Sequence, residues 1–89
     1  MKIKNKYIEL FVDVDIDEGS IYVEAEDQIS EKVLKEINVL WMDYQSVPNL
    51  NEEIKIEFAG MELFLVILEK IYSSNPMGLE IELTLKLLE

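Results

Sequence analysis

The sequence predicts a two-layer α+β fold in the order β-β-α-β-α-β, with a four-stranded mixed sheet and two helices on one face. Four segments alternate apolar and polar residues with a period of two, which is typical of half-buried strands. Two further segments fit helices, one amphipathic and one apolar on nearly every side. Because 89 residues lie near the lower end of what folds alone, we expect residues 1–89 to form a single domain.

The first two strands are predicted to form a hairpin. The first strand has five inward apolar positions: Ile8, Leu10, Val12, Val14 and Ile16. A turn at residues 17–20, where Gly19 can take a positive φ, leads to a second strand with Ile21, Val23 and Ala25 inward. Pairing Ile16 with Ile21 also sets Val14 opposite Val23 and Val12 opposite Ala25. One register thus places every apolar residue on the same face.

The next two elements are an amphipathic helix and a third strand. Asp27 is a candidate N-cap for a helix that runs to about Tyr44. Its apolar residues recur at three- and four-residue spacings: Ile29, Val33, Ile37, Leu40, Trp41 and Tyr44. Residues 53–58 alternate again and predict a strand with Ile54, Ile56 and Phe58 inward.

A second helix is predicted over Met61–Tyr72 and a fourth strand over Leu79–Leu87. Only Glu62, Glu69 and Lys70 interrupt the apolar residues of this helix. Such a helix is either covered on more than one side or presents a stripe to a second copy of the chain. The closing strand-helix-strand order predicts that these two strands pair in parallel with a right-handed crossover.

Negative charge is concentrated in the first third of the chain. The net charge is -11. Nine carboxylates and no lysine lie between Tyr7 and Glu31, namely Glu9, Asp13, Asp15, Asp17, Glu18, Glu24, Glu26, Asp27 and Glu31. A field concentrated on one small element can steer a basic partner toward it.

The residue types that are missing exclude several classes of function. The chain has no His and no Cys, and it also has no Arg, so imidazole bases, thiol nucleophiles, zinc ligands and guanidinium clamps are all absent. A carboxylate pair such as Glu80 and Glu82 would face solvent without a pocket to separate their pKa values. We therefore expect no enzymatic activity, no catalytic residues, no cofactor and no dedicated metal site.

The predicted site is the face of the sheet that the helices leave uncovered. We assign partner binding to nine residues of the predicted hairpin and its ends: Glu9, Phe11, Asp13, Asp15, Asp17, Glu18, Tyr22, Glu24 and Glu26. The same face is expected to carry Lys55, Glu57, Glu80, Glu82 and Lys86. The predicted register sets Asp13 opposite Glu24, and like charges in that position are destabilising. Rows of carboxylates at strand spacing imitate nucleic-acid phosphates, and Phe11 and Tyr22 supply apolar anchors.

Three other interpretations of these residues stay open. The charge can serve solubility alone, and the N-terminal segment can cover the two aromatic side chains. Asp13, Asp15, Asp17 and Glu24 also match positions 1, 3, 5 and 12 of a calcium loop. That loop requires Gly at its sixth position, where this chain has Glu18, and its flanks are helices rather than alternating strands.

The profile of a small, acidic, Cys-free protein resembles that of bacterial toxin-immunity proteins and phage-encoded inhibitors of host defence enzymes. The likeness lies in bulk properties and includes no shared motif. It implies an inhibitor that blocks a basic, nucleic-acid-handling site, such as that of a nuclease, on a partner protein. Nucleic acid itself is not an expected partner, because its phosphates would be repelled. The alternatives are an accessory subunit or homodimer that assembles through the second helix, and a weak calcium-binding module.

The sequence predicts no contact with a membrane. Residues 1–6 are basic, but an acid-rich alternation follows them instead of the apolar run of a signal peptide. The longest apolar run, Leu63–Leu68, is too short to span a bilayer. We therefore expect a cytoplasmic location.

Overall fold

The computed structural model describes residues 8–44, 46–76 and 78–88. It has an α+β fold with a four-stranded mixed sheet, as predicted, but with one α-helix in place of two. The elements in chain order are strand β1 (Ile8–Asp15), a 3₁₀ turn (Val23–Ala25), helix α1 (Glu26–Tyr44), and strands β2 (Glu53–Phe58), β3 (Met61–Asn75) and β4 (Gly78–Leu88). The N-terminal segment considered above as a cover for the aromatic side chains lies outside the described residues.

The strands lie in the order β1-β4-β3-β2. The last three strands form an antiparallel meander, since β2 pairs with β3 and β3 with β4. The one parallel pair among the described strands joins β1 to β4. The prediction that the third strand pairs in parallel with the last is therefore wrong, because the segment between them is itself a strand.

Residues 21–26 do not form the predicted second strand of a hairpin. The backbone turns there instead: the Ser20 N–H donates to the Asp17 carbonyl at 3.0 Å, and the Ala25 N–H donates to the Tyr22 carbonyl at 2.9 Å. Strand β1 pairs with β4, so that Val14 lies opposite Leu85 instead of Val23. Helix α1 then begins one residue before the predicted N-cap Asp27.

The amphipathic helix, the third strand and the last strand are confirmed. Helix α1 buries Ile29, Val33 and Ile37 completely, whereas Leu40 and Tyr44 of the predicted apolar stripe are exposed. Strand β2 has the predicted bounds and buries Ile54 and Ile56. Alternate residues of β4 complete the helix-facing side of the sheet, where Ile81, Leu83, Leu85 and Leu87 are at most 5% exposed. The buried positions of these segments can be predicted from the sequence, because each segment is apolar on one side only.

The segment predicted as a second helix is strand β3. A nearly continuous apolar run fits a buried helix or a strand equally well, and the preceding turn decides between them. Phe58 pairs with Met61 across a two-residue loop in which Ala59 has φ 51° and Gly60 has φ 77°. Positive φ at both positions is the pattern of a type I′ turn, which connects antiparallel strands.

Strand β3 contains a β-bulge between Ile67 and Glu69. The extra residue, Leu68, changes which side chains face α1. Before the bulge the helix-facing positions include Leu65 and Ile67, which are completely buried. After it they include Lys70, which lies opposite Leu83. From this position Lys70 makes two hydrogen bonds. Its Nζ donates to Asn49 Oδ1 at 2.7 Å and to the Val47 carbonyl at 3.4 Å. The bulge thus ties the connection between α1 and β2 to the sheet.

We predict that two adjacent residues of β3 differ sharply in their contribution to stability. Ile67 is 0% exposed and Leu68 is 49% exposed. Ile67→Ala should lower the free energy of unfolding by about 2–5 kcal/mol, because it leaves a cavity in the core. Leu68→Ala should lower it by about 1 kcal/mol or less, since surface substitutions cost little. Urea denaturation of both variants measures the difference, and equal losses would contradict the strand assignment.

We also predict that two substitutions in the β2–β3 turn act in opposite directions. Ala59→Asn should raise the free energy of unfolding by several tenths of a kcal/mol, because Asn tolerates positive φ better than Ala. Gly60→Ala should lower it by about 1–2 kcal/mol, because an L-residue is strained there. A Cβ on Gly60 meets no atom within 4 Å, so the loss would be conformational. Urea midpoints that move in the same direction would argue against a type I′ turn.

Candidate protein-binding face

The side of the sheet turned away from α1 is not covered by any element in the described part of the chain. We call this side the open face. It is built from the positions that alternate with the buried ones along each strand. They are Glu9, Phe11, Asp13 and Asp15 of β1; Glu80, Glu82, Thr84, Lys86 and Leu88 of β4; Glu62, Phe64, Val66, Glu69, Ile71 and Ser73 of β3; and Glu53, Lys55 and Glu57 of β2.

Strands β1 and β4 form an acidic half of the open face. Their register sets Glu9 beside Glu80, Phe11 beside Glu82, Asp13 beside Thr84 and Asp15 beside Lys86. Four carboxylates, those of Glu9, Asp13, Glu80 and Glu82, therefore neighbour Phe11, which is 47% exposed. Ile71 of β3 lies on the far side of Glu82 and is 41% exposed. A cationic surface that docks here meets several negative charges and two apolar side chains at once.

Four of the nine predicted binding residues lie together on the open face. Glu9, Phe11, Asp13 and Asp15 follow one another at alternate positions of β1. The other five are separated from them, because the chain leaves the sheet after Asp15. Asp17 and Glu18 lie in the turn, Tyr22 and Glu24 at the 3₁₀ turn, and Glu26 at the start of α1.

The predicted apposition of Asp13 and Glu24 is wrong, because Asp13 pairs with Thr84. Tyr22 also has a different role from the one predicted. Its ring packs against the core, and its hydroxyl donates to the Met61 sulfur at 3.6 Å. Tyr22 therefore holds the β1–α1 connection against the sheet instead of serving as an exposed anchor.

Sequence reasoning placed Glu80 and Glu82 on the open face but left them out of the binding site. Their contribution depends on the pairing of β1 with β4, which no local pattern indicates. Glu69 and Ile71 were missed entirely, because their segment was predicted to be helical. The signal that could have found them is the alternation of Leu63, Leu65 and Ile67, which continues through a bulge.

The opposite half of the open face is more apolar. Phe64 pairs with Leu88, and the two side chains are 43% and 39% exposed. Val66 beside them is half-buried. One ion pair borders this group, where Lys55 Nζ lies 3.6 Å from Glu62 Oε1 with both side chains more than half exposed. Exposed pairs of this kind contribute little to stability.

A cavity of about 510 Å³ opens at the end of the sheet. It lies between the β1–α1 connection and the ends of β3 and β4. Its lining is Gly19, Ser20, Ile21, Tyr22, Glu62, Leu63, Phe64 and Leu88. Among the described residues of this lining, Glu62 is the one carboxylate, whereas acid–base hydrolysis of glycosides uses two.

The four acids that match calcium-loop positions in the sequence do not converge. Asp13 and Asp15 lie on β1, Asp17 follows the strand and Glu24 lies on the 3₁₀ turn. Within residues 8–44, 46–76 and 78–88, no three carboxylates are grouped so that they could hold a metal ion. The helical part of the described chain likewise offers no segment long and apolar enough to cross a membrane.

The chain was compared with protein-family models, with curated proteins and with solved structures. None of the three comparisons gives a match. Function must therefore be inferred from the composition and geometry of the open face.

Proposed function

We propose that this protein is a non-enzymatic binding module, of the inhibitor type, that occupies a basic site on a partner protein. The observation that carries the proposal is the acidic half of the open face. Glu9 of β1 pairs with Glu80 of β4, Glu82 lies diagonally between Glu9 and Asp13, and Asp15 pairs with Lys86. A nuclease or another nucleic-acid-handling enzyme has a basic site of matching charge, because it must bind phosphates.

The spacing of these carboxylates supports mimicry of a phosphate backbone. Asp13 and Asp15 lie two residues apart on β1, as Glu80 and Glu82 do on β4, which places each pair about 6.6–6.8 Å apart in a regular row. Adjacent strands lie about 4.8 Å apart. The acidic half therefore offers two short rows of negative charge on a rigid surface.

The two kinds of side chain on this surface favour different stages of binding. Carboxylates speed the encounter with a basic protein, and this effect weakens with salt. Phe11 and Ile71 are large apolar side chains that stay about half exposed, and burying them on a partner would slow dissociation. Fast association with slow release is what an inhibitor needs in order to compete with nucleic acid.

We predict that reversing two charges on β1 strongly reduces the capture of basic partners. Immobilised wild-type protein should retain basic proteins from a lysate of the native host at low and moderate salt. The Asp13→Lys/Asp15→Lys variant should retain at least about tenfold less of these proteins. The two substitutions make the charge of the acidic half more positive by four units, which weakens its attraction for a basic partner. The activity of a retained nucleic-acid-processing enzyme should fall when wild-type protein is added and should be unaffected by the variant.

The matched control reverses two charges elsewhere. Glu31 and Glu36 are exposed on α1, so Glu31→Lys/Glu36→Lys changes the net charge by the same amount away from the open face. This control should retain the same partners as the wild type. If both variants lose them equally, net charge and not the open face governs binding. If neither loses them, the proposed function is wrong.

A second candidate function is an accessory subunit or homodimer, favoured by the exposed apolar side chains of β3. The surface first assigned to a helix belongs to a strand, where Phe64 and Leu68 are 43% and 49% exposed. Apolar patches of this kind often mark interfaces. Burying Phe64 and Leu88 against a second copy would remove both from water.

We predict that wild-type protein sediments as a monomer up to about 100 µM, because a net charge of -11 opposes self-association. Sedimentation equilibrium over a concentration series tests this expectation. A stable dimer that Phe64→Ser dissociates, while Phe11→Ser does not, would favour the second candidate over the first.

A further inference from the structure

We propose that the outer edge of β1 receives an extended, basic segment of the partner as a fifth strand of the sheet. This inference rests on the proposed function and names the form that the partner takes. The segment would run beside Ile8–Asp15 and hydrogen-bond to its backbone, in the manner of β-strand addition. Its cationic side chains would lie over the acidic half of the open face.

The first observation is the position of β1 at the edge of the sheet. Strand β1 pairs with β4 on one side, and no other described strand pairs with it. Alternate residues of a strand direct their N–H and C=O groups to opposite sides. About half of this eight-residue strand therefore presents backbone donors and acceptors to an incoming chain.

The opposite edge of the sheet is partly occupied by the chain itself. The Glu52 carbonyl accepts a hydrogen bond from the Ile67 N–H of β3, so it points toward β3. Carbonyl groups alternate in direction along a strand, and Glu57 follows Glu52 by five residues. The Glu57 carbonyl therefore points away from β3. The Lys32 ammonium group of α1 donates a hydrogen bond to the Glu57 carbonyl. This contact hinders strand addition at β2, and β1 is the better edge.

The second observation is that two apolar side chains of β1 are not fully buried on the helix-facing side of the sheet. Leu83 and Leu85 of β4 are 1% and 0% exposed. On the adjacent strand β1, Leu10 and Val12 face the same side and pack against the core but are only partly buried. A fifth strand with apolar residues on this side would extend the core and cover both side chains.

The charge pattern of β1 specifies the sequence of the incoming strand. Cations should lie opposite Glu9, Asp13 and Asp15, and an apolar residue should lie opposite Phe11. The intervening residues would face Leu10 and Val12 and should be apolar. For antiparallel addition, the segment reads cation-apolar-cation-apolar-apolar-apolar-cation. A second copy of the chain is a poor occupant, because antiparallel pairing of two β1 strands sets Glu9 opposite Asp15 or Asp13.

Three synthetic peptides test the inference on the full-length protein. The parent is acetyl-KVKVFVK-amide, which follows the specified pattern. Two analogues carry N-methyl groups on alternate residues, and each analogue blocks the backbone N–H groups along one edge of the peptide strand. Both analogues keep the charge and the side chains of the parent. Isothermal titration calorimetry gives the affinities. Backbone amide hydrogen exchange shows whether alternate residues of β1 become protected.

The parent peptide should bind with one-to-one stoichiometry, and at least one analogue should bind about tenfold more weakly or worse, because the strand hydrogen bonds are lost. Asp13→Asn/Asp15→Asn should weaken the parent by about tenfold or more. Glu31→Gln/Glu36→Gln on α1 removes the same number of charges and should change the affinity by less than about twofold, since those residues lie away from β1.

Two results would overturn the inference. If all three peptides bind equally, charge alone holds them and no strand forms, while the proposed function still stands. If the parent does not bind at all, the edge of β1 does not accept a strand. Failure of the proposed function has a separate signature, which is retention of the host partners by Asp13→Lys/Asp15→Lys.

Discussion

The parallel pairing of β1 with β4 determines what this protein presents to its surroundings. It places the most acidic strand at the edge of the sheet, beside a second strand that carries Glu80 and Glu82 on the same side. Because side chains of paired residues point the same way, burying Val14 with Leu85 against α1 forces Asp13 and Asp15 to the opposite side. The core and the acidic half of the open face are therefore two consequences of one register.

Helix α1 covers one side of this sheet, and no other helix of the described residues covers the opposite side. Helix α1 contributes Ile29, Val33 and Ile37 to the core, and Leu10 and Val12 of β1 stay partly buried on the side that it covers. The other side of the sheet keeps Phe11, Phe64 and Ile71 about half exposed. Apolar side chains at these places weaken the view that the surface serves solubility alone, since solubility favours charged and polar residues throughout.

The parts of the fold that could be predicted from the sequence are those with one clear periodicity. Residues 53–58 have apolar side chains on one side only, and α1 has a single buried stripe, so strand and helix follow directly. Residues 61–72 are apolar on both sides and satisfy either period. There the outcome depends on the turn at Ala59 and Gly60 and on two neighbouring strands, and neither effect appears in the local pattern.

The candidate site was predictable in part for the same reason. The alternation of Glu9, Phe11, Asp13 and Asp15 belongs to one strand, so it needs only the local pattern. Tyr22 and Glu24 could belong to the predicted site only if residues 21–26 formed the second strand of a hairpin. The apolar alternation over residues 21–25 is too short to distinguish a strand from a 3₁₀ turn followed by a helix. Glu80 and Glu82 join the site through a partner strand at the other end of the sequence, which alternation cannot identify.

The separation of β1 and β4 along the chain also sets the order in which the sheet can assemble. The β2–β3–β4 meander is made of local contacts, which form early, whereas Ile8 must find Leu79 across a long loop. Such high contact order slows folding. On the ribosome the acidic strand has no sheet partner until nearly the whole described chain has emerged. Like charges on this strand oppose its pairing with the same strand of another unfinished chain.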